Sequence, residues 1–353
     1  MTKIDIISGF LGAGKTTLIK KLIAESFAGS KVVLIENEFG EIGIDGGFLK
    51  EAGIEITEMN SGCICCSLVG DFKTSLKQVI EKYAPDRIVI EPSGVGKLSD
   101  VAKAVERVNE DEEAVVINSM VTVVDGKKTK MYMKNFGEFF NNQVESAGTV
   151  IISRTQDMTQ EKLDETMALI REHNKEAVII TTPWDEIKGD QILEAMEKGH
   201  TLVDALIEEM SKLPDDDEDE PEHGHHHHHH DHDEDEHEHH HHEHGEDCTC
   251  GCHDHDHHHH HADEVFTSWG RETARTYTSE DIQSALEALT NEEKYGMILR
   301  AKGIVAGSDG QWIHFDYVPG MPDVRTGSAS TIGRLCVIGS KINEESIAEL
   351  FKA

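Results

Sequence analysis

From residue 3 to about 213, short apolar runs alternate with segments whose apolar residues recur at helical spacing. The runs 3–7, 31–36, 54–58, 86–90, 116–124, 148–152 and 177–180 predict strands. The segments near 15–26, 69–82, 98–107, 136–146, 160–173, 190–198 and 201–212 predict helices. This alternation implies βαβ units and a mostly parallel sheet covered on both faces. The runs are apolar throughout, as in Arg87-Ile88-Val89-Ile90, which suits strands buried on both sides. In such sheets ligands sit at the carboxyl ends of the strands. From 265 the pattern changes: Val265-Phe266 opens a strand, 279–290 is an amphipathic helix, three or four strands fill 296–339, and Glu344 to Lys352 closes as a helix. That predicts a small α+β domain on an antiparallel sheet, without a compact catalytic constellation. His314, alternating with Trp312 and Asp316, reads as a satisfied surface or core histidine.

Residues 214–264 fit neither pattern. They hold 21 of the 24 histidines, twenty acidic residues, Cys248, Cys250 and Cys252, and no Lys or Arg. So few apolar side chains cannot offset the entropy of ordering, which predicts disorder without metal. The bland reading is a solvated spacer. Imidazole and thiolate together favour Zn²⁺, Ni²⁺, Cu²⁺ or Co²⁺, and so weak multi-site metal capture. The expected domains are therefore 1–213, 214–264 and 265–353.

The formal charge is −35, and the chain stays acidic without this insert, which argues against a nucleic-acid partner. No stretch approaches ~18 uninterrupted apolar residues, so no membrane span is expected. The seven cysteines lie at 63–66, at 248–252 and at Cys336. An odd count in two tight clusters suits thiolate ligands better than disulfides and implies a reducing setting. Met1 to Asp5 lacks the layout of a signal peptide, so a cytoplasmic location is expected.

Gly9-Phe10-Leu11-Gly12-Ala13-Gly14-Lys15-Thr16-Thr17 reads G-x-x-x-x-G-K-T between a predicted strand and a helix. That turn aims backbone N–H groups at one point, Lys15 adds a cation for phosphates, and Thr16 offers a hydroxyl to Mg²⁺. Gly9, Gly12, Ala13, Gly14, Lys15, Thr16 and Thr17 are thus candidates for phosphate binding. Glu36, Glu38 and Glu41 crowd the next strand end. They form either a solvated acidic loop or a nucleotide-sensing segment that touches Mg²⁺ or a second metal. Cys63-Ile64-Cys65-Cys66 packs three thiols into four residues: either free buried cysteines, or two or three soft donors suited to Zn²⁺ or a similar metal with a fourth position open. Glu91-Pro92-Ser93-Gly94 follows the fourth strand and has the layout of a Mg²⁺-water ligand and a γ-phosphate-sensing glycine. Ser153, Arg154 and Gln156 stand where a nucleotide-binding enzyme of this topology usually reads the base.

Taken in order, G-F-L-G-A-G-K-T-T, E-N-E-F-G-E, G-C-I-C-C, E-P-S-G and Leu299-Arg300-Ala301-Lys302-Gly303 resemble the CobW-like family of P-loop GTPases, proteins linked to metal insertion. The resemblance implies an α/β P-loop NTPase domain, a His-rich insert, and a small α+β domain that modulates target contact. It implies Mg²⁺-dependent hydrolysis of GTP, with Lys15, Thr16 and Glu91 as the catalytic set, coupled to delivery of zinc, cobalt, nickel or a similar ion. By the same similarity Cys63, Cys65 and Cys66 hold the transferred metal, with Glu36 or Glu41. The family usually has N-K-x-D where Ser153-Arg154-Thr155-Gln156 stands. Gln lacks the charge that about doubles such a hydrogen bond, which weakens guanine preference unless Asp157 supplies the acceptor. The expectation is a nucleotide-gated metallochaperone that serves an unidentified receiving protein, with a homodimer left open. The alternative is a metal buffer acting through the insert.

Overall fold

The computed structural model describes residues 1–37, 55–59, 69–112, 115–199 and 262–353. The described residues belong to one compact unit. It begins with seven strands: β1 (Thr2–Gly9), β2 (Val32–Asn37), β3 (Glu55–Met59), β4 (Arg87–Glu91), β5 (Val115–Asp125), β6 (Thr149–Ser153) and β7 (Val178–Ile180). They form one sheet in the order β3-β2-β4-β1-β5-β6-β7, with every pair parallel. Among the described residues, five helices lie between these strands, α1 (Lys15–Glu25), α2 (Val69–Tyr83), α3 (Leu98–Glu112), α4 (Thr129–Glu145) and α5 (Gln160–His173), and α6 (Gly189–Lys198) follows β7.

Successive strand residues point to opposite faces, and both faces are buried. Ile4, Ile6, Val33, Ile35, Ile88 and Ile90 enter one core with α3 and α4. Ile7, Val32, Leu34 and Val89 enter the other with α1 and α6. The amino edge is tied by a buried ion pair between Asp5 and Arg87. Asn118 Nδ2 and Ser119 Oγ also donate to the Asp5 carboxylate, at 2.8 and 2.6 Å. Burial opposes the Arg87 charge, but Asp5 and Glu197 hold that guanidinium above its ordinary value.

The helix expected to begin at 136 begins at Thr129 instead. A kink at Phe136 (φ −137°, ψ 34°) joins its two parts.

Beyond the insert a single helical turn, Ala262–Val265, precedes the strands β8 (Thr267–Thr273), β9 (Thr276–Tyr277), β10 (Met297–Gly307), β11 (Trp312–Val318), β12 (Met321–Gly327) and β13 (Gly333–Ser340). Val265 and Phe266 therefore do not open a strand. Phe266 is apolar for another reason: its ring lies 6.0 Å from Phe10, 5.3 Å from Phe136 and 5.2 Å from Phe139. β12-β11-β10-β13-β8 is antiparallel, and β9 pairs β10 in parallel. Helices α7 (Ser279–Ala288) and α8 (Glu344–Phe351) cover one face of this sheet. A capping box starts α7: Thr278 Oγ1 accepts from Asp281 N at 3.0 Å, and Thr278 N donates to the Asp281 carboxylate at 3.0 Å. Among the described residues no helix is long and apolar enough to cross a membrane.

Phe266 joins the first core to the C-terminal strands, together with Leu299, Cys336 and Ile338. Phe266→Ala should lower the unfolding free energy by about 3–5 kcal/mol, as truncation of a buried aromatic ring does. Urea denaturation measures it, and a loss below about 1 kcal/mol would show that the cluster closes over the gap.

Candidate functional site

The parallel sheet delivers its candidates to one edge. At the end of β1 the chain turns through Gly9, Gly12 and Gly14 into α1. Gly14 is the N-cap residue, at φ 108°. No side chain caps the helix and its first turn holds no acidic residue, so no side-chain acceptor competes for the N–H groups there. Lys15 is buried, and its Nζ donates to the Gly9 carbonyl at 2.9 Å. Thr16 Oγ1 donates to the Glu91 carboxylate, 3.0 and 3.2 Å from its two oxygens. Glu36, buried, is the register partner of Glu91 on the neighbouring strand. Two carboxylates thus lie in register near the carboxyl ends of adjacent parallel strands.

The remaining candidates divide. Gly94 is buried against the loop: a Cβ there would meet Leu11 N at 2.9 Å, and its carbonyl accepts from Gln143 Nε2 at 3.2 Å. Ser153 is buried, and its hydroxyl donates to the Ala13 carbonyl at 2.7 Å, so it braces the loop. Arg154 has φ +60° and pairs with the buried Asp125 carboxylate, while its Nη2 donates to the Gly12 carbonyl at 3.0 Å. Gln156 is exposed, as is Asp157, which pairs with Lys127 at 3.0 Å. Glu41, Cys63, Cys65, Cys66, Cys248, Cys250 and Cys252 lie outside the described residues. Among the described residues no three His, Cys, Asp or Glu side chains are grouped to hold a metal ion. His314 is buried, with Nε2 2.8 Å from the Ser328 carbonyl.

A cavity of about 360 Å³ lies over the loop. Gly12, Gly14, Lys15, Thr16, Thr17, Lys20, Glu91 and Arg154 line one side, and residues of β10, β11 and β12 line the other. Asp125, Arg154's partner, was missed by the sequence reading, as were these strand residues. The only sequence signal for Asp125 is a carboxylate that ends the apolar run Val121 to Val124. Lys302 of β10 is 3% exposed. Burial pushes its ammonium down to about 8, helped by Lys15 and opposed by Cys336, Asp316 and Glu36.

Residues 3–181 match the family described as CobW/HypB/UreG, nucleotide-binding domain, and residues 266–353 match the cobalamin synthesis protein cobW C-terminal domain. The chain is 40% identical over 127 residues to the zinc chaperone CobW of Sinorhizobium sp. That stretch is 34% of this chain and 35% of the relative. It is 30% identical over 164 residues to the zinc chaperone YeiR of Escherichia coli (strain K12), covering 46% of this chain and 49% of the relative. The chain therefore spans half or less of these relatives' lengths. A crystal structure of Zn(II)-bound YjiA GTPase from E. coli aligns at a TM-score of 0.41 and 19% identity, over 99% of this chain and 98% of that one.

Lys302 gives a signed pH test. Its folded value of about 8 lies below the ordinary 10.5, so the unfolded chain holds more protons between those values and stability rises with pH across them. The stability difference between wild type and Lys302→Met should therefore move toward wild type over that window, by up to about 3 kcal/mol. Urea unfolding of both proteins across the window measures it. A difference independent of pH would contradict burial of the charged form.

Proposed function

From the premise that the chain belongs to the CobW/HypB/UreG family, we propose that it is a GTP-gated metallochaperone, which hydrolyses GTP and hands a transition metal, zinc first, to a receiving protein. The relatives named zinc chaperones support this reading. The observation that carries it is the pairing of Glu36 with Glu91 on adjacent strands. Glu91 accepts from Thr16 of the phosphate loop, and Glu36 is the described member of the candidate metal ligands. A change of nucleotide state at Thr16 and Glu91 is then felt one strand away. Cys63, Cys65 and Cys66 supply the thiolates in this reading. A reducing, cytoplasmic setting keeps them available.

The hydroxyl of Thr16 and the carboxylate of Glu91 are oxygen donors side by side, the ligand chemistry Mg²⁺ prefers. Thr16 would hold the ion directly and Glu91 through water, and the ion would neutralise phosphate charge. The chain's own residues do the rest. The uncapped N–H groups of α1 bind the phosphates, and Lys15 moves from the Gly9 carbonyl to the β and γ oxygens. Phosphoryl transfer needs mainly such positioning and electrostatics. Base selection is assigned to the 153–157 turn, with Arg154 at the cavity and Asp157 as the nearby acid.

Coupling between two sites is reciprocal. The affinity for a non-hydrolysable GTP analogue should change about five- to 150-fold on adding one equivalent of Zn²⁺, the usual span of such couplings. Identical constants would sink the gating. Lys15→Ala should abolish hydrolysis and leave tight zinc in place. Deleting 215–260, which retains the buried Ala262, separates a chaperone from a buffer. A chaperone keeps hydrolysis and one tight site while capacity falls. A buffer loses its tight metal binding with the insert.

A further inference from the structure

The C-terminal sheet has two unlike faces. Ala301, Val305, Ile313, Phe315, Tyr317 and Val337 point into the core under α7 and α8. The alternate positions of the same strands carry Arg300, Lys302, His314, Asp316 and Cys336. This charged face is not turned to solvent. Leu299, Cys336 and Ile338 join the first core of the parallel sheet. Arg300, Asp316, Val318, Met321, Asp323 and Arg325 form the outer wall of the cavity over the phosphate loop.

The wall is held at close range. Gly12 has φ +69°, and a Cβ on it would fall 2.0 Å from Val318 Cγ1, so the missing side chain is what lets β11 reach the loop. Lys128 Nζ donates to the Pro319 carbonyl at 3.0 Å, one residue further. On this wall Asp316 and Asp323 are direct register partners on β11 and β12. Like charges placed so repel. Each has its own cation: Arg300 Nη2 lies 2.9 Å from Asp316 Oδ2, and Arg325 pairs with Asp323.

We propose that Arg300 and Arg325 are nucleotide-binding residues that contact the triphosphate from the side opposite the phosphate loop. The proposal rests on the reading that this cavity takes a nucleoside triphosphate. Lys15 and the N-terminus of α1 meet the phosphates from below, and the two guanidiniums meet them from above, oriented by Asp316 and Asp323. Arg300 belongs to Leu299-Arg300-Ala301-Lys302-Gly303, the motif of the second domain that the loop chemistry leaves without a task. The triphosphate then clamps the second domain onto the first, and loss of the γ-phosphate loosens that clamp.

The test is equilibrium binding of a non-hydrolysable GTP analogue and of GDP to the full-length protein and its variants. Arg300→Ala should weaken the analogue about ten- to a hundredfold, the scale of a charge-assisted hydrogen bond, and weaken GDP less. Arg325→Ala, at a more exposed pair, should weaken it about three- to tenfold. Arg300→Ala could also act by baring the Asp316 charge, so the double variant Arg300→Ala with Asp316→Ala decides. Continued weak binding supports phosphate contact, and return to wild-type affinity overturns it. Unfolding curves without nucleotide check each fold, and Arg325→Ala carries the test if Arg300→Ala unfolds. If wild type binds the analogue and both single variants match it, the proposal falls while the nucleotide reading stands. If wild type binds no triphosphate, both fall.

Discussion

Because β1, β2, β4, β5 and β6 run parallel, Gly9, Glu36, Glu91, Asp125 and Ser153 all arrive at the same edge of the sheet. No local interaction brings them together. The parallel ladder does so, and it is held in register by apolar side chains on both faces. The same ladder explains why the opposite edge is built differently. There the buried Asp5 is matched by Arg87, Asn118 and Ser119, a polar network that ties β1, β4 and β5 together.

At the carboxyl edge the matching is of another kind. Asp125 has Arg154, and that arginine also reaches the Gly12 carbonyl, so one ion pair sets the height of the phosphate loop. Glu91 has the Thr16 hydroxyl. Glu36 shares an electrostatic environment with Lys302 from the second domain. Burying carboxylates is unfavourable unless charge or hydrogen bonds compensate. Here the compensating groups come from the phosphate loop and from the C-terminal sheet, elements outside the parallel ladder, whereas the Asp5 network is closed largely by residues of the strands themselves.

The phosphate loop was legible because its fixed residues sit in a strand–turn–helix frame that sequence alone can recognise. The strands were legible because burial on both faces makes them uniformly apolar. Three features were not. Phe266 looked like a strand residue, since an apolar side chain does not state whether a ladder or an aromatic cluster receives it. Ser153 reads as part of a base-reading turn, and nothing in the sequence shows that its hydroxyl also reaches the Ala13 carbonyl, 140 positions away. The alternation in β10 and β11 separates two faces, but a polar face covered by the parallel-sheet domain has the same pattern as one facing water. Which of the two holds is a tertiary fact.

That ambiguity bears on how the second domain works. A sheet whose outer face served only for solubility would need no fixed distance from the first domain. Here a glycine at position 12 makes room for Val318, a lysine at 128 holds the Pro319 carbonyl, and Phe266 is driven among Phe10, Phe136 and Phe139. Phe10 lies inside the phosphate loop, so the apolar contact and the charged wall grip the same nine residues, one from within the core and one from the cavity. In the proposed reading, a shift of the loop on nucleotide exchange strains one contact or releases the other. The second domain is coupled to the loop by packing, before any partner protein is considered.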